Sequence, residues 1–247
     1  MRRQWIIAGI VLILGASLLV ELYLNRLYPE TEIEITLPEL HVGEKHVYRF
    51  YREGQLIGTH SYSITGCEGG GASAEYTMVS TTDITYEGKN LLLQGEYVFD
   101  HLYRPLGYAL NASEGDKHTR LRAAFGQDEV EVTIDSGGDV MELTEQVSEE
   151  TLLIENGMPG YWEILFQSSD LEPGKRHQVD AFIPQLGAVV RVTLTVDHGT
   201  STVRYDGLEL DCTVVREPDL GLIFYLYGGE LVQYRDDANG VTMNKNV

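Results

Sequence analysis

Arg49 and Arg104 are the charged residues of this chain whose neighbours could serve a ligand. Arg49 stands between Tyr48 and Phe50, and Arg104 between Tyr103 and Pro105. A guanidinium set among aromatic rings can hold a carboxylate or phosphate at a pocket mouth. The plainer reading is a surface side chain whose stem covers apolar area while its head stays wet. The seven histidines (His41, His46, His60, His101, His118, His177 and His198) never recur at a spacing of two or four. A metal site is therefore not expected, and neither is a cofactor. The phosphate loop, the dinucleotide fingerprint, Gly-x-Ser-x-Gly and His-Glu-x-x-His are all missing. Asp236-Asp237-Ala238-Asn239-Gly240 lacks the alternating ligands and terminal glutamate of a calcium loop. Carboxylate pairs such as Glu129/Glu131 and Glu149/Glu150 are commonplace in so acidic a chain. No catalytic residue is assigned. An envelope hydrolase or transferase with a site assembled from dispersed residues stays as the alternative to a binding domain.

Cys67 and Cys212 lie far apart in the chain, and no Cys-x-x-Cys or His/Cys cluster accompanies either. In an oxidising compartment they form a candidate disulfide, which would bring the first and last parts of the fold together. Two separate buried thiols are the other reading. Asn111-Ala112-Ser113 matches a glycan acceptor, with Asn111 as its candidate site.

The compartment follows from the N-terminus. Arg2 and Arg3 precede a stretch without charge from Gln4 to Val20, and the apolar character continues through Leu24. As a helix this stretch is about 31 Å long, close to the thickness of the bilayer hydrocarbon. Trp5 and Tyr23 fall near its ends, and Glu30, Glu32, Glu34 and Glu39 follow it. The positive-inside bias predicts a cytoplasmic N-terminus and an extracytoplasmic remainder, with the chain held at the cell membrane by a single span. Gly15-Ala16-Ser17 offers the rival reading of a cleaved signal peptide, although cleavage there leaves an apolar new terminus. Lipidation at that point is excluded, because no cysteine occurs before Cys67.

The formal net charge is −20, from 38 acids and 18 Lys plus Arg. Such a surface repels phosphate backbones, so nucleic acid is not an expected partner. The expected partners are the membrane, through the N-terminal helix, and a lipid or other hydrophobic ligand or an envelope protein.

Four segments are expected: a membrane anchor at 1–28, an extended stalk at 29–43, an antiparallel β-domain at 44–236 and a polar tail at 237–247. Within the domain apolar residues alternate almost throughout, broken by glycine-containing turns such as Arg52-Glu53-Gly54-Gln55 and Glu87-Gly88-Lys89-Asn90. One segment departs from this pattern. Asn156-Gly157-Met158-Pro159 starts a helix, and Met158, Trp162 and Phe166 then recur every fourth residue, with Tyr161 pairing with Leu165. Apolar groups cover most of its circumference, which predicts burial. The fold class is all-β with one short buried helix: a strongly curved antiparallel sheet or rolled barrel. The space between helix and sheet is the candidate ligand site. Met158, Tyr161, Trp162, Leu165 and Phe166 form one wall; Tyr62, Tyr76, Met78, Tyr97 and Phe99 face them.

Several motifs resemble those of a widespread class of uncharacterised exported β-proteins known as domains of unknown function. They are Gly43-Glu44 before Tyr48-x-Phe50, the Gly54-Gln55-Leu56-Ile57-Gly58 hairpin, Tyr103-Arg104-Pro105-Leu106, the Leu171-x-Pro173-Gly174-Lys175 turn and the hairpin from Gly221 to Tyr227. The likeness spans residues 42–236. That class is similar to the lipoprotein-localisation carriers, whose curved sheet closes on a helix around an apolar cavity. The resemblance implies lipid handling. A membrane anchor departs from it, since a tethered domain cannot shuttle.

Overall fold

The structure is a computed structural model, and it describes residues 26–38, 40–155 and 157–246. The predicted anchor falls almost wholly outside these residues. Among them, no helix is long and apolar enough to cross a membrane.

Among the described residues, sixteen strands join in one sheet. In chain order they are β1 (Glu30–Glu32), β2 (Lys45–Arg52), β3 (Gln55–Glu68), β4 (Glu75–Tyr86), β5 (Lys89–Asp100), β6 (Pro105–Glu114), β7 (Lys117–Phe125) and β8 (Glu129–Ser136). Then come β9 (Asp139–Gln146), β10 (Leu152–Leu153), β11 (Arg176–Ile183), β12 (Ala188–Tyr205), β13 (Leu208–Glu217), β14 (Leu222–Tyr227), β15 (Glu230–Asp236) and β16 (Val241–Lys245). The spatial order is β1-β11-β12-β13-β14-β15-β16-β2-β3-β4-β5-β6-β7-β8-β9, with β10 also pairing β11. Consecutive strands from β2 to β9 and from β11 to β16 form antiparallel hairpins or meanders. Strands β1 and β10 instead run parallel to β11. The sheet is large and curved but does not close. A seam remains between β9 and the strands at β11.

The tight turns follow the local chemistry. Glu53-Gly54, Glu87-Gly88 and Asp206-Gly207 all have positive φ at both residues. That is the backbone twist which lets a two-residue hairpin match the twist of its strands.

The helix, α1 (Pro159–Ser168), starts on proline as the sequence predicts, and Gln167 is its only residue that is not buried. A buried helix must satisfy the polar groups at both ends. At the N-terminus Gly160 donates its N–H to His60 Nε2, 3.4 Å away. At the C-terminus Ser168 Oγ and Ser169 Oγ donate to the carbonyls of Ile164 and Leu165, and Thr36 N–H donates to the Ser168 carbonyl. Gly160 is needed for a further reason. A Cβ there would lie 2.5 Å from the Tyr62 ring.

Two segments differ from expectation. Residues 241–245, read as part of a polar tail, form β16 between β15 and β2. The cause is alternation: Met243 is buried, and Lys245 reaches inward to Glu163 Oε1 at 2.6 Å. The segment read as a stalk lies along the domain. β1 pairs β11, Ile35 bridges Ser169, and Val42 bridges Ile64. Strand β12 is the longest of the sheet and carries an irregularity between Val196 and Thr200.

Cys67 and Cys212 are both free, Cys67 exposed and Cys212 buried. The expected disulfide is absent for a topological reason: β14, β15, β16 and β2 separate the strands that carry the two cysteines.

Candidate functional site: a groove at the seam

The helix–sheet interior comes first, because the sequence places a ligand there. Met158, Tyr161, Trp162, Leu165 and Phe166 are all buried, as are Tyr62, Met78, Tyr97 and Phe99 opposite; Tyr76 is half-buried and stacks on Phe99. Trp162 meets Phe224 with ring centroids 4.7 Å apart, Phe166 meets Phe224 at 4.8 Å, and Tyr161 meets Tyr97 at 5.5 Å. These are the separations of packed aromatic pairs. The hydroxyl of Tyr161 approaches Gly95, where even a Cβ would be only 3.3 Å from it. The interior is a packed core in these regions.

That core contains ionisable groups, of which Glu155 and Glu163 have no mark in the sequence. Glu163 is fully buried on α1 and accepts from Tyr48 Oη at 2.8 Å and Tyr62 Oη at 2.5 Å, besides Lys245. His46 stacks on Tyr62 and lies 3.8 Å from the same carboxylate. The cluster ties helix, β2, β3 and β16 together, and it includes no serine or cysteine that could act as a nucleophile. Glu155 is also fully buried. Tyr108 Oη donates to its Oε2 at 2.5 Å, and burial pushes its carboxyl up to about 8. His60 donates to or accepts from Thr82 Oγ1 through Nδ1 at 2.8 Å, and burial lowers it to about 3. Among the described residues, no group of three His, Cys, Asp or Glu side chains is arranged to hold a metal ion.

The larger space is outside. At the seam a groove of about 470 Å³ runs between β1, β11, the 149–152 link and the β5–β6 turn. Ile33, Ile35, Leu102, Leu152 and Val179 give it apolar walls; Glu32, Glu149, Glu150, Asp180, Arg104 and Arg191 give it charge. A smaller groove of about 180 Å³ adjoins it, and Arg104 and Glu149 line both.

One rim is held rigidly. Tyr103 has φ +63, a left-handed conformation in which a bulky residue is a true outlier. It is retained because its ring is buried against Phe99 and Tyr97, and because its hydroxyl donates to the Tyr161 carbonyl at 3.0 Å. Asp100 completes the turn. Its Oδ1 accepts the N–H groups of Leu102 and Arg104, at 2.8 and 2.9 Å, and its Oδ2 accepts from Arg104 Nε at 2.7 Å. Leu102 and Arg104 are thus presented to the groove from a pre-organised turn. Backbone strain of this kind concentrates at functional sites.

The structure separates the two arginines singled out in the sequence. Arg104 lies in the seam groove. Arg49 lines a different groove of about 220 Å³, between the β12–β13 hairpin tip and strands β2 and β16, with Arg204, Asp206 and Lys245. Asn111 is exposed in the middle of β6, paired with Gln94 on one side and Arg120 on the other. The acidic groove residues Glu149 and Glu150 have no local signal that distinguishes them from other acid pairs. Only the pairing of β1 and β11, distant in sequence, brings Glu32 to them.

No family model matches the chain, and no curated protein sequence matches it. Solved structures similar to it include the following two. One is a β-barrel-like protein of a domain of unknown function, DUF1849, from Brucella abortus. It is 14% identical, covers 86% of this chain and 96% of its own, and has a TM-score of 0.49. The other is a presumed exported protein with a YmcC-like fold from Bacteroides fragilis. It is 10% identical, covers 85% of this chain and 97% of its own, and has a TM-score of 0.32.

Proposed function

We propose that this chain is a non-enzymatic, membrane-tethered, extracytoplasmic β-domain that binds an envelope protein partner in the seam groove. The observation that carries the reading is the contrast between inside and outside. The apolar side chains beneath the sheet already contact one another, whereas the groove on the exterior leaves about 470 Å³ open beside a strained, clamped turn. That volume is in the range of ligand sites. Its mixture of apolar walls and charged rim matches the anatomy of protein interfaces.

The tether supports a membrane-proximal partner. Leu24 ends the apolar N-terminal run and Glu32 lines the groove. Eight residues span at most about 28 Å, so the groove lies within that distance of the anchor's end. Arg2 and Arg3 before the span and the glutamates after it support the extracytoplasmic placement.

The test is site-specific photo-crosslinking in the native membrane. A photoreactive residue replaces Leu102 in the groove or Leu208 at the exposed β12–β13 turn. The expected result is a discrete protein adduct from position 102, identified by mass spectrometry and absent from position 208. Equal labelling from both positions, or none from position 102, would overturn the reading.

A further inference from the structure

We infer that the seam groove takes an extended, lysine- or arginine-bearing segment of a partner polypeptide. The inference rests on the reading of this groove as a partner site and adds the chemistry of what enters it.

Charge gives the sign. Glu32, Glu149, Glu150 and Asp180 line the groove against Arg104 and Arg191. Arg104 is held by Asp100 at 2.7 Å and lies 3.8 Å from Glu149, and Arg191 is held by Asp180 at 2.9 Å, which leaves Glu32 and Glu150 in excess. What remains for a ligand is negative. The wider surroundings reinforce this, because residues 123–174 contain 13 acids and no lysine, arginine or histidine. This stretch includes the whole β8–β9 hairpin and the link that carries Glu149 and Glu150. An acidic peptide or an anionic headgroup would approach against that field, and a basic segment along it.

The backbone gives the shape. On the outer edge of β11 the parallel ladder with β1 ends at Gln178, and the ladder with β10 begins at Ala181. Val179 and Asp180 lie between, without a strand partner on that edge, and both line the groove. Arg176 N–H donates outward to the Pro29 carbonyl, and the Phe182 carbonyl accepts from Ile154 on the same edge. Main-chain groups of alternate residues point the same way in a strand, so the N–H of Asp180 faces this gap, while its carbonyl belongs to the ladder with β10. A main-chain carbonyl of an extended partner segment lying in the groove can accept from this N–H. Alternation along such a segment would place basic side chains towards Glu149 and Glu150 and apolar ones towards Leu102 and Leu152.

The experiment uses the full chain in detergent micelles and two labelled eight-residue peptides, one alternating lysine and valine, the other glutamate and valine. Binding is read by fluorescence anisotropy. The lysine peptide is expected to bind at least about tenfold more tightly than the glutamate peptide, and to weaken by a similar factor from 50 to 500 mM salt. Glu149→Lys with Glu150→Lys should weaken it about tenfold or more. Glu114→Lys with Glu209→Lys, which change net charge equally at exposed sites elsewhere, should alter it less than about twofold. Equal binding of the two peptides, or equal loss in the two double variants, would overturn the inference. The wild-type peptide comparison and salt series stand even if the groove variant folds poorly. If position 102 crosslinks to a protein while the lysine peptide does not bind, the basic-segment inference fails and the partner-site reading stands. If neither occurs, both fail.

Discussion

Glu155 and His60 are both fully buried, and they pull the stability of the protein in opposite directions as pH changes. Burial raises Glu155 from its ordinary 4.5 to about 8, so between those values the unfolded chain releases a proton that the folded chain keeps. The folded state binds more protons, and stability therefore falls as pH rises through 4.5–8. Burial lowers His60 from 6.5 to about 3, so the folded state binds fewer protons in that interval and stability rises with pH from 3 to 6.5. The two slopes oppose each other between pH 4.5 and 6.5. From 6.5 to 8 only that of Glu155 remains. We predict that the unfolding free energy, measured by denaturant titration, declines between pH 6.5 and 8, and that Glu155→Gln abolishes that decline. An unchanged decline in the variant would assign it to other groups. At this scale the sequence is least informative. Glu155 and Glu163 are two acids in an acid-rich stretch, and no neighbour in sequence marks them as buried.

At the scale of elements, helix α1 was legible and its surroundings were legible in part. Pro159 and the four-residue recurrence of Met158, Trp162 and Phe166 predict both the helix and its burial. Period-two alternation likewise predicts most strands, and it correctly turns Tyr62, Met78, Tyr97 and Phe99 towards the core. Strand β16 was missed because Val241–Lys245 reads as polar on its own. Its lysine makes sense only opposite Glu163, 82 residues away. The close fit of the helix makes a further prediction. Gly160→Ala would place a Cβ against the Tyr62 ring, and overpacking of this kind costs about 1–3 kcal/mol. A thermal melt should show the loss, and Gly160→Ala with Tyr62→Leu should recover part of it. An unshifted midpoint in Gly160→Ala would show that helix and ring are not held together as tightly as described.

At the scale of the molecule, hairpins are written locally and the order in which they join the sheet is not. Turns such as Glu53-Gly54 specify their own strand pairs. Nothing local specifies that β16 joins β15 to β2, or that β1 and β10 share the outer edge of β11 in parallel. The seam and its groove are products of those long-range pairings. This explains why the sequence could single out Arg104, through its aromatic and proline neighbours, while Glu32, Leu102 and Val179 remained unmarked. The same limit applies beneath the sheet. The apolar periodicity of α1 indicates burial, and burial alone does not distinguish a lined cavity from a filled one. The −20 net charge acts at this scale too, favouring solubility and directing which partners can approach.

The central claim is that this domain binds outside its sheet and not within it. Quantitative mass spectrometry of everything that co-purifies with the full chain tests it most directly, comparing wild type with Leu102→Trp, which occupies the groove, and Trp162→Phe, which opens space beside the helix. The account predicts a protein partner retained by wild type and Trp162→Phe and lost from Leu102→Trp, with no apolar small molecule whose amount follows residue 162. An apolar molecule bound one to one, reduced by Trp162→Phe and indifferent to Leu102→Trp, would contradict it.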